Sequence, residues 1–357
     1  FVPILFLMAP LAYLGSTTAL LVLQAFLVAA GAFALALLAR RRRLGVGVTL
    51  AVVCAYLFAV GTQSMINFDF HEIAAVPAAL LFALWALETG RWKTALLSLS
   101  IIFLSKESAI LYVAGVGVYL ALFRPNLRKV GIGLFVFCAC AFVVVTMVLQ
   151  PSLLEGGPQG MIHLQRFSAF GFTLSDAVAN MVLNPGKVLL TLFTPQEKLQ
   201  SLVVTLGGFA FLPLLAPDAL VLAGFNLAER FLANKNEMWG LGFHYSVVLV
   251  SVCSFATLEA LARQRQKIHG VQDGDDKSPR TIGALARHDF QMATWMFLCT
   301  LGCCWLSPVP AEFLSLQKTY FSTEDQIAIN RRALAVIPDD AKVVAQNHFL
   351  PHLAMRQ

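Results

Sequence analysis

The chain has 357 residues, 58% of them hydrophobic and 13% charged, against roughly 45–50% and 25% in an average soluble domain. So much apolar surface, with 28 phenylalanines in it, excludes a disordered, fibrous or small disulfide-stapled protein and points to lipid. The formal charge of +6 gathers beside apolar runs, which favours orientation in a bilayer over nucleic-acid binding. The expected fold class is all-α, a polytopic transmembrane helical bundle with a small outer C-terminal soluble segment.

Residues 1–14 (FVPILFLMAPLAYL) are apolar but carry Pro3 and Pro10, so a short helix lying at the interface is expected there. The stretch lacks the basic leader and small-residue cleavage site of a signal peptide. Position 1 is not Met and the chain stops at Gln357 within polar sequence, so a fragment cut at both ends is expected. A span takes about 20 apolar residues. Spans are expected at 17–40, 44–64, 73–90, 93–105, 108–123, 130–149, 199–215, 217–233, 243–262 and 289–307.

Basic loops set the orientation. Arg40 to Arg43 follow the first span directly and are expected on the cytoplasmic side. Stepping across the spans keeps Arg91 and Lys93, then Arg124, Arg128 and Lys129, then Arg263, Arg265 and Lys267 on that side. This requires 93–123 to be a hairpin of two short spans. One helix of that length would run ~46 Å, beyond a ~30 Å hydrocarbon core, and would invert every later loop. The outer face then collects 65–72 (MINFDFHE), the turn at 105–108 (SKES), the loop 150–198, the loop 234–243 and the tail. A polar stretch at 263–288 reads as a solvated inner linker. The expected domains are a membrane core over 1–307 and, over 308–357, the start of an extracytoplasmic domain. That second part should hold a helix near 323–336 and a strand at 342–346.

Ionisable groups within or beside spans carry the functional signal, because each costs about 2.5–3.5 kcal/mol at a helix centre on insertion scales. Lys106 and Glu107 sit at the turn of the short hairpin, and as sequence neighbours they cannot face one another on a helix. They read as a phosphate-binding Lys beside a carboxylate base, or as a snorkelled pair capping a broken helix. Asp69, His71 and Glu72 stand together in NFDFHE, as candidate acid–base groups, metal ligands of weak spacing or both, or as an N-terminal helix cap. His244 and Tyr245 in GLGFHYS are candidate substrate contacts, or members of an interfacial aromatic belt. His163 and Arg166 read as a grip for an anionic head group or as part of an interfacial helix, and Asn347, His348 and His352 as surface or packing residues of the outer domain. The seven cysteines all lie in apolar runs, and neither they nor the histidines show a metal-ligand spacing. Whether a divalent metal or any other cofactor takes part stays open.

These blocks make the chain recognisable. FHEIAAVPAALLFALWALETGRW, LSKESAILYVAGVGVYL, LPLLAPDALVL with GFHYS, and IPDDAKVVAQNHFLPHLAMR resemble, in order, the motifs of a family of predicted multi-pass prokaryotic membrane proteins. That family is the domain of unknown function 2079, placed in the GT-C glycosyltransferase superfamily. The resemblance implies a GT-C-like helical core in a prokaryotic plasma membrane, a site on the outer face and a polyprenyl-phosphate-linked sugar donor. It also implies an acidic catalytic residue in the first outer loop, expected upstream of Phe1. His71, Glu72, Lys106, Glu107, His244 and Tyr245 carry over as motif positions without assigned roles.

The resulting reading is a glycosyltransferase that moves a sugar from a lipid-phosphate donor to an outer-face acceptor. Asp69, His71, Glu72 and Glu107 are its candidate catalytic residues, and Lys106, His244 and Tyr245 its candidate substrate-binding residues. Its expected partners are the lipid bilayer and the lipid-linked donor, with no nucleic acid. The alternatives are a transporter or flippase of lipid-linked substrates and a non-catalytic membrane scaffold.

Overall fold

Runs of Leu, Ala, Val and Phe this long leave the backbone no water to bond with, so its N–H and C=O groups must be satisfied within each segment. In the computed structural model, which describes residues 2–153, 162–270, 279–305 and 324–338, every regular element among those residues is helical. The membrane bundle contains α1 (Ile4–Arg41), α2 (Val46–Phe58), α3 (Val60–Asn67), α4 (Ala75–Glu88), α5 (Trp92–Ser105), α6 (Ala109–Phe123) and α7 (Arg128–Val144). After α7 the chain continues through a π turn to Leu153. Then come α8 (Leu174–Leu183), α9 (Pro185–Phe193), α10 (Gln196–Gly207), α11 (Gly224–Phe231), α12 (Val247–Gly270), α13 (Pro279–Trp305) and α14 (Glu324–Ala335).

Several boundaries differ from the sequence expectation. The interfacial helix and first span are one helix, because Pro10 is accommodated within α1 without a break. The second span is broken at Ala59, whose extended ψ of 139° separates α2 from α3 at a bend of 46°. The expected spans 199–215 and 217–233 are helical only in pieces, interrupted by 3₁₀ turns at Leu212–Leu215 and Val221–Ala223. Pro213 and Pro217 lack the N–H that a continuing helix needs. The linker 263–288 is helical at both ends, since α12 runs to Gly270 and α13 begins at Pro279. Among the described residues, three helices can cross a membrane alone by length and composition, and a fourth if α2 and α3 form one span. The remaining pieces of 14 or 15 residues, such as α4, α5 and α6, reach only ~21–22 Å. The helix expected near 323–336 is α14; the strand at 342–346 lies outside the described residues.

Helix α12 is the central pillar: 89% of its most apolar stretch is buried, against 17% for α7 at the periphery. Its polar residues Ser251, Ser254 and Thr257 are buried, and each donates its hydroxyl to the carbonyl one turn earlier. Around α12 pack α2, α4 and α1, where the Tyr56 hydroxyl donates to the Val28 carbonyl at 2.6 Å. The α6–α7 crossing is close enough to exclude side chains. A Cβ on Gly117 would lie 2.8 Å from the Gly131 carbonyl oxygen, and one on Gly131 2.5 Å from the Ala121 nitrogen. Lys106, extended at φ −164° and ψ 156°, separates α5 from α6. At their other ends Arg124 lies 3.7 Å from Glu88, the last residue of α4. The chain therefore returns to the face it left, and α5–α6 is a hairpin.

That face is basic. Arg42 donates from Nε to Glu259 at 2.9 Å and pairs with Glu88 at 2.8 Å, and Arg263 pairs with Asp218. Glu88 and Glu259 hold Arg42 charged against the burial that opposes its charge, and its pKa lies above the usual value. The histidine motifs stand at the opposite end of the bundle, ~22 Å along α12 from Glu259.

Candidate functional site

Three chain breaks meet at this second end: 68–71 after α3, 106–108 between α5 and α6, and 240–246 before α12. The first is fastened by Gln24 of α1, a buried side chain whose amide nitrogen donates to the carbonyls of Met65 at 2.8 Å and Phe68 at 2.9 Å. Its amide oxygen accepts from the backbone N–H of His71 at 2.8 Å. Helix α3, which leads into that break, is tied to the third one at Ser64, whose hydroxyl donates to the Leu241 carbonyl at 2.6 Å. His71 Nδ1 is 2.8 Å from the Asp69 carbonyl oxygen, the contact of an Nδ1–H tautomer.

His71 and His244 stack with ring centroids 3.9 Å apart, and Phe68 lies against both at 5.1 Å. Tyr245 packs on His244 at 4.0 Å, and the Lys106 ammonium lies 6.0 Å from the Tyr245 ring centre. His71, Lys106, Arg230 and Arg166 all act electrostatically on His244. The imidazole of His244 is buried, and its Nδ1 has no hydrogen-bond partner among the described residues.

The sequence reading missed the group beneath this layer. Arg230 of α11 is 1% exposed; its Nε donates to the Met238 carbonyl at 2.8 Å and its Nη2 to the Ser246 hydroxyl at 2.7 Å. Its third nitrogen, Nη1, has no partner among the described residues. Beside it Tyr112 of α6 donates to the Glu229 carboxylate and accepts from the Asn226 amide at 3.1 Å. The signal was present, since AER interrupts the apolar run 217–233, where an intramembrane charge is costly. Lys198, also buried, is spent structurally: its ammonium donates to the carbonyls of Thr191 at 2.7 Å and Phe231 at 2.6 Å.

Thus His71, His244, Tyr245 and Lys106 come together with Arg230. Glu107 follows Lys106 in the same turn. Asp69 contributes its main chain, and Glu72 opens the 3₁₀ turn before α4 without capping it. The carboxylates of Asp69 and Glu72 form no hydrogen bond or ion pair among the described residues, so neither acts as a side-chain cap. No group of three or more His, Cys, Asp or Glu side chains that could hold a metal occurs among the described residues. Arg166 supplies its carbonyl to the Asn234 N–H at 2.8 Å, tying the segment before α8 to the one after α11. Asn347, His348 and His352 lie outside the described residues.

The arrangement can do two things chemically. Arg230, Lys106 and Arg166 favour an anion, and the imidazole of His71 offers a ring nitrogen for proton transfer. A family model described as predicted membrane protein (DUF2079) matches residues 1–357. No curated protein and no solved structure matches the chain.

Proposed function

We propose that this chain, which belongs to the DUF2079 family of predicted membrane proteins, is a glycosyltransferase using a polyprenyl-phosphate-linked sugar donor. Its setting is a prokaryotic plasma membrane with the histidine face outward, in keeping with the basic cluster at the other end. One observation carries the reading: a buried guanidinium, Arg230, whose Nη1 has no partner among the described residues, beside the stacked His71 and His244. An unpaired buried donor is costly and calls for an acceptor, and a lipid phosphate supplies several.

In this mechanism the acceptor hydroxyl attacks the anomeric carbon, the bond from that carbon to the phosphate oxygen breaks, and the phosphate leaves with the electron pair. Lys106 and Arg230 stabilise the charge that develops on it. His244 and Tyr245 line the donor. Asp69, Glu72 or Glu107, with His71, assist in taking the proton from the acceptor hydroxyl. Flipping of the same lipid-linked substrate is the second reading, favoured by the 46° break between α2 and α3.

The test uses the chain in nanodiscs with a radiolabelled polyprenyl-phosphate sugar and mixed acceptors. Formation of a labelled glycan with release of polyprenyl phosphate, lost in Arg230→Gln and partly kept in Arg230→Lys, is the expected result. Movement of the intact donor across proteoliposomes without sugar transfer would favour the flippase. Equal donor retention by the parent and both variants would remove the phosphate site from either reading.

A further inference from the structure

A cavity of about 930 Å³ opens on the basic face among the ends of α1, α4, α6 and α12. Six guanidinium groups line it, those of Arg41, Arg42, Arg43, Arg124, Arg263 and Arg265, with two carboxylates, Glu88 and Glu259. Behind the wall Asp218 holds Arg263 and Asp289 holds Arg265 at 3.2 Å. Four carboxylates therefore meet six guanidinium groups, which leaves a surplus of two positive charges. Arg42 uses both wall carboxylates, and Arg124 reaches them only at 3.5 and 3.7 Å. Arg41 is likewise 3.7 Å from Glu88. The guanidinium groups with least compensation are thus those of Arg41, Arg43 and Arg124.

Arg43 adds an independent observation. Helix α1 ends in a Schellman motif: the Leu44 N–H donates to the Ala39 carbonyl at 3.1 Å and the Arg43 N–H to the Arg40 carbonyl at 3.0 Å. The residue after the C-cap is left-handed in this motif and is ordinarily glycine. Here Arg43 takes it, at φ 54°, a conformation that costs an L-residue energy. A charged side chain is kept at the cavity rim where the backbone favours none.

We propose that this cavity is an anion site, separate from the histidine face, that takes a phosphate-bearing ligand: the head group of an anionic phospholipid or a soluble diphosphate. The guanidinium forks suit phosphate oxygens, and the shallow, partly open wall admits a ligand from the inner leaflet or from solution.

The test follows thermal unfolding of the chain in phosphatidylcholine nanodiscs, once with added pyrophosphate and once with phosphatidylglycerol in the disc. At least one probe should raise the melting temperature of the parent; pyrophosphate alone marks a soluble ligand, phosphatidylglycerol alone a lipid, and both a shared phosphate site. Arg43→Gly should lose at least half of that rise while melting no lower than the parent without probe, because glycine suits the backbone. Arg124→Gln provides a second cavity variant, and Lys93→Gln removes a basic-face charge outside the cavity. The proposal is overturned if neither probe stabilises the parent, if both cavity variants keep the full rise, or if Lys93→Gln loses as much as they do.

Discussion

The imidazole of His71 stacks on that of His244 at 3.9 Å, although one follows α3 and the other opens the turn into α12. His71 is held at its backbone N–H by Gln24 and at Nδ1 by the Asp69 carbonyl, whereas His244 Nδ1 has no partner among the described residues. A fixed ring thus supports a ring with a free nitrogen, beside the cations Lys106 and Arg230. This asymmetry is what a binding site needs and what plain packing does not require.

Lys106 interrupts the α5–α6 hairpin with its ammonium 6.0 Å from the Tyr245 ring. Lys106→Ala should weaken binding of a polyprenyl-phosphate analogue by about tenfold, roughly 1.4 kcal/mol, with little change in melting temperature. Lys106→Arg should recover part of that affinity, since charge survives while geometry changes. A Lys106→Ala protein that melts early yet binds the analogue normally would make this lysine structural.

Glu259 neutralises Arg42 in the basic cluster, with side-chain exposures of 10% and 9%. Glu259→Gln should destabilise the folded bundle by about 2–4 kcal/mol, because it leaves a nearly buried guanidinium short of a counter-charge. Joint replacement of Arg42 by Met and Glu259 by Leu should recover much of the loss. Thermal melts of the three proteins in one lipid decide it: a single variant as stable as the parent is the contrary outcome.

Gly117 and Gly133 lie on neighbouring helices but differ in surroundings. A Cβ at Gly117 would sit 2.7 Å from the Phe135 nitrogen, while nothing lies within 4 Å of one at Gly133. Gly117→Ala should therefore cost about 1–3 kcal/mol through forced separation of α6 and α7. Gly133→Ala should be neutral or slightly stabilising, as expected for alanine in an open helical position. Equal melting temperatures for the two variants would contradict the close crossing.

Ala169 and Gln266 are exposed and lie at opposite ends of the bundle, Gln266 on the wall of the basic cavity. With the seven native cysteines replaced, Ala169→Cys should react with an impermeant maleimide from outside the cell and Gln266→Cys only after permeabilisation. Reaction of both from one side would reverse the assignment of faces.

The sequence by itself determined the helical class, since a chain so apolar has to close its backbone hydrogen bonds within each segment in lipid. It also determined the α5–α6 hairpin, because the residues between Lys93 and Phe123 make too long a single span, and it singled out Lys106, His71, His244 and Tyr245 by the cost of polar groups near lipid. Only the tertiary structure decided which of these meet. Contacts such as His71 with His244, or Gln24 with the 65–71 loop, join residues far apart in the chain, and no local pattern encodes them. The same holds for Arg230: in sequence it is one charge in an apolar run, and the nitrogen without a partner among the described residues is defined only once Met238 and Ser246 have taken the other two. Asp69 and Glu72 show the reverse, carboxylates that local sequence placed in the site and that folding left without a partner among the described residues. Proximity along a chain of extended and 3₁₀ turns fixes neighbourhood but not direction, and direction is set by the helices packed around it.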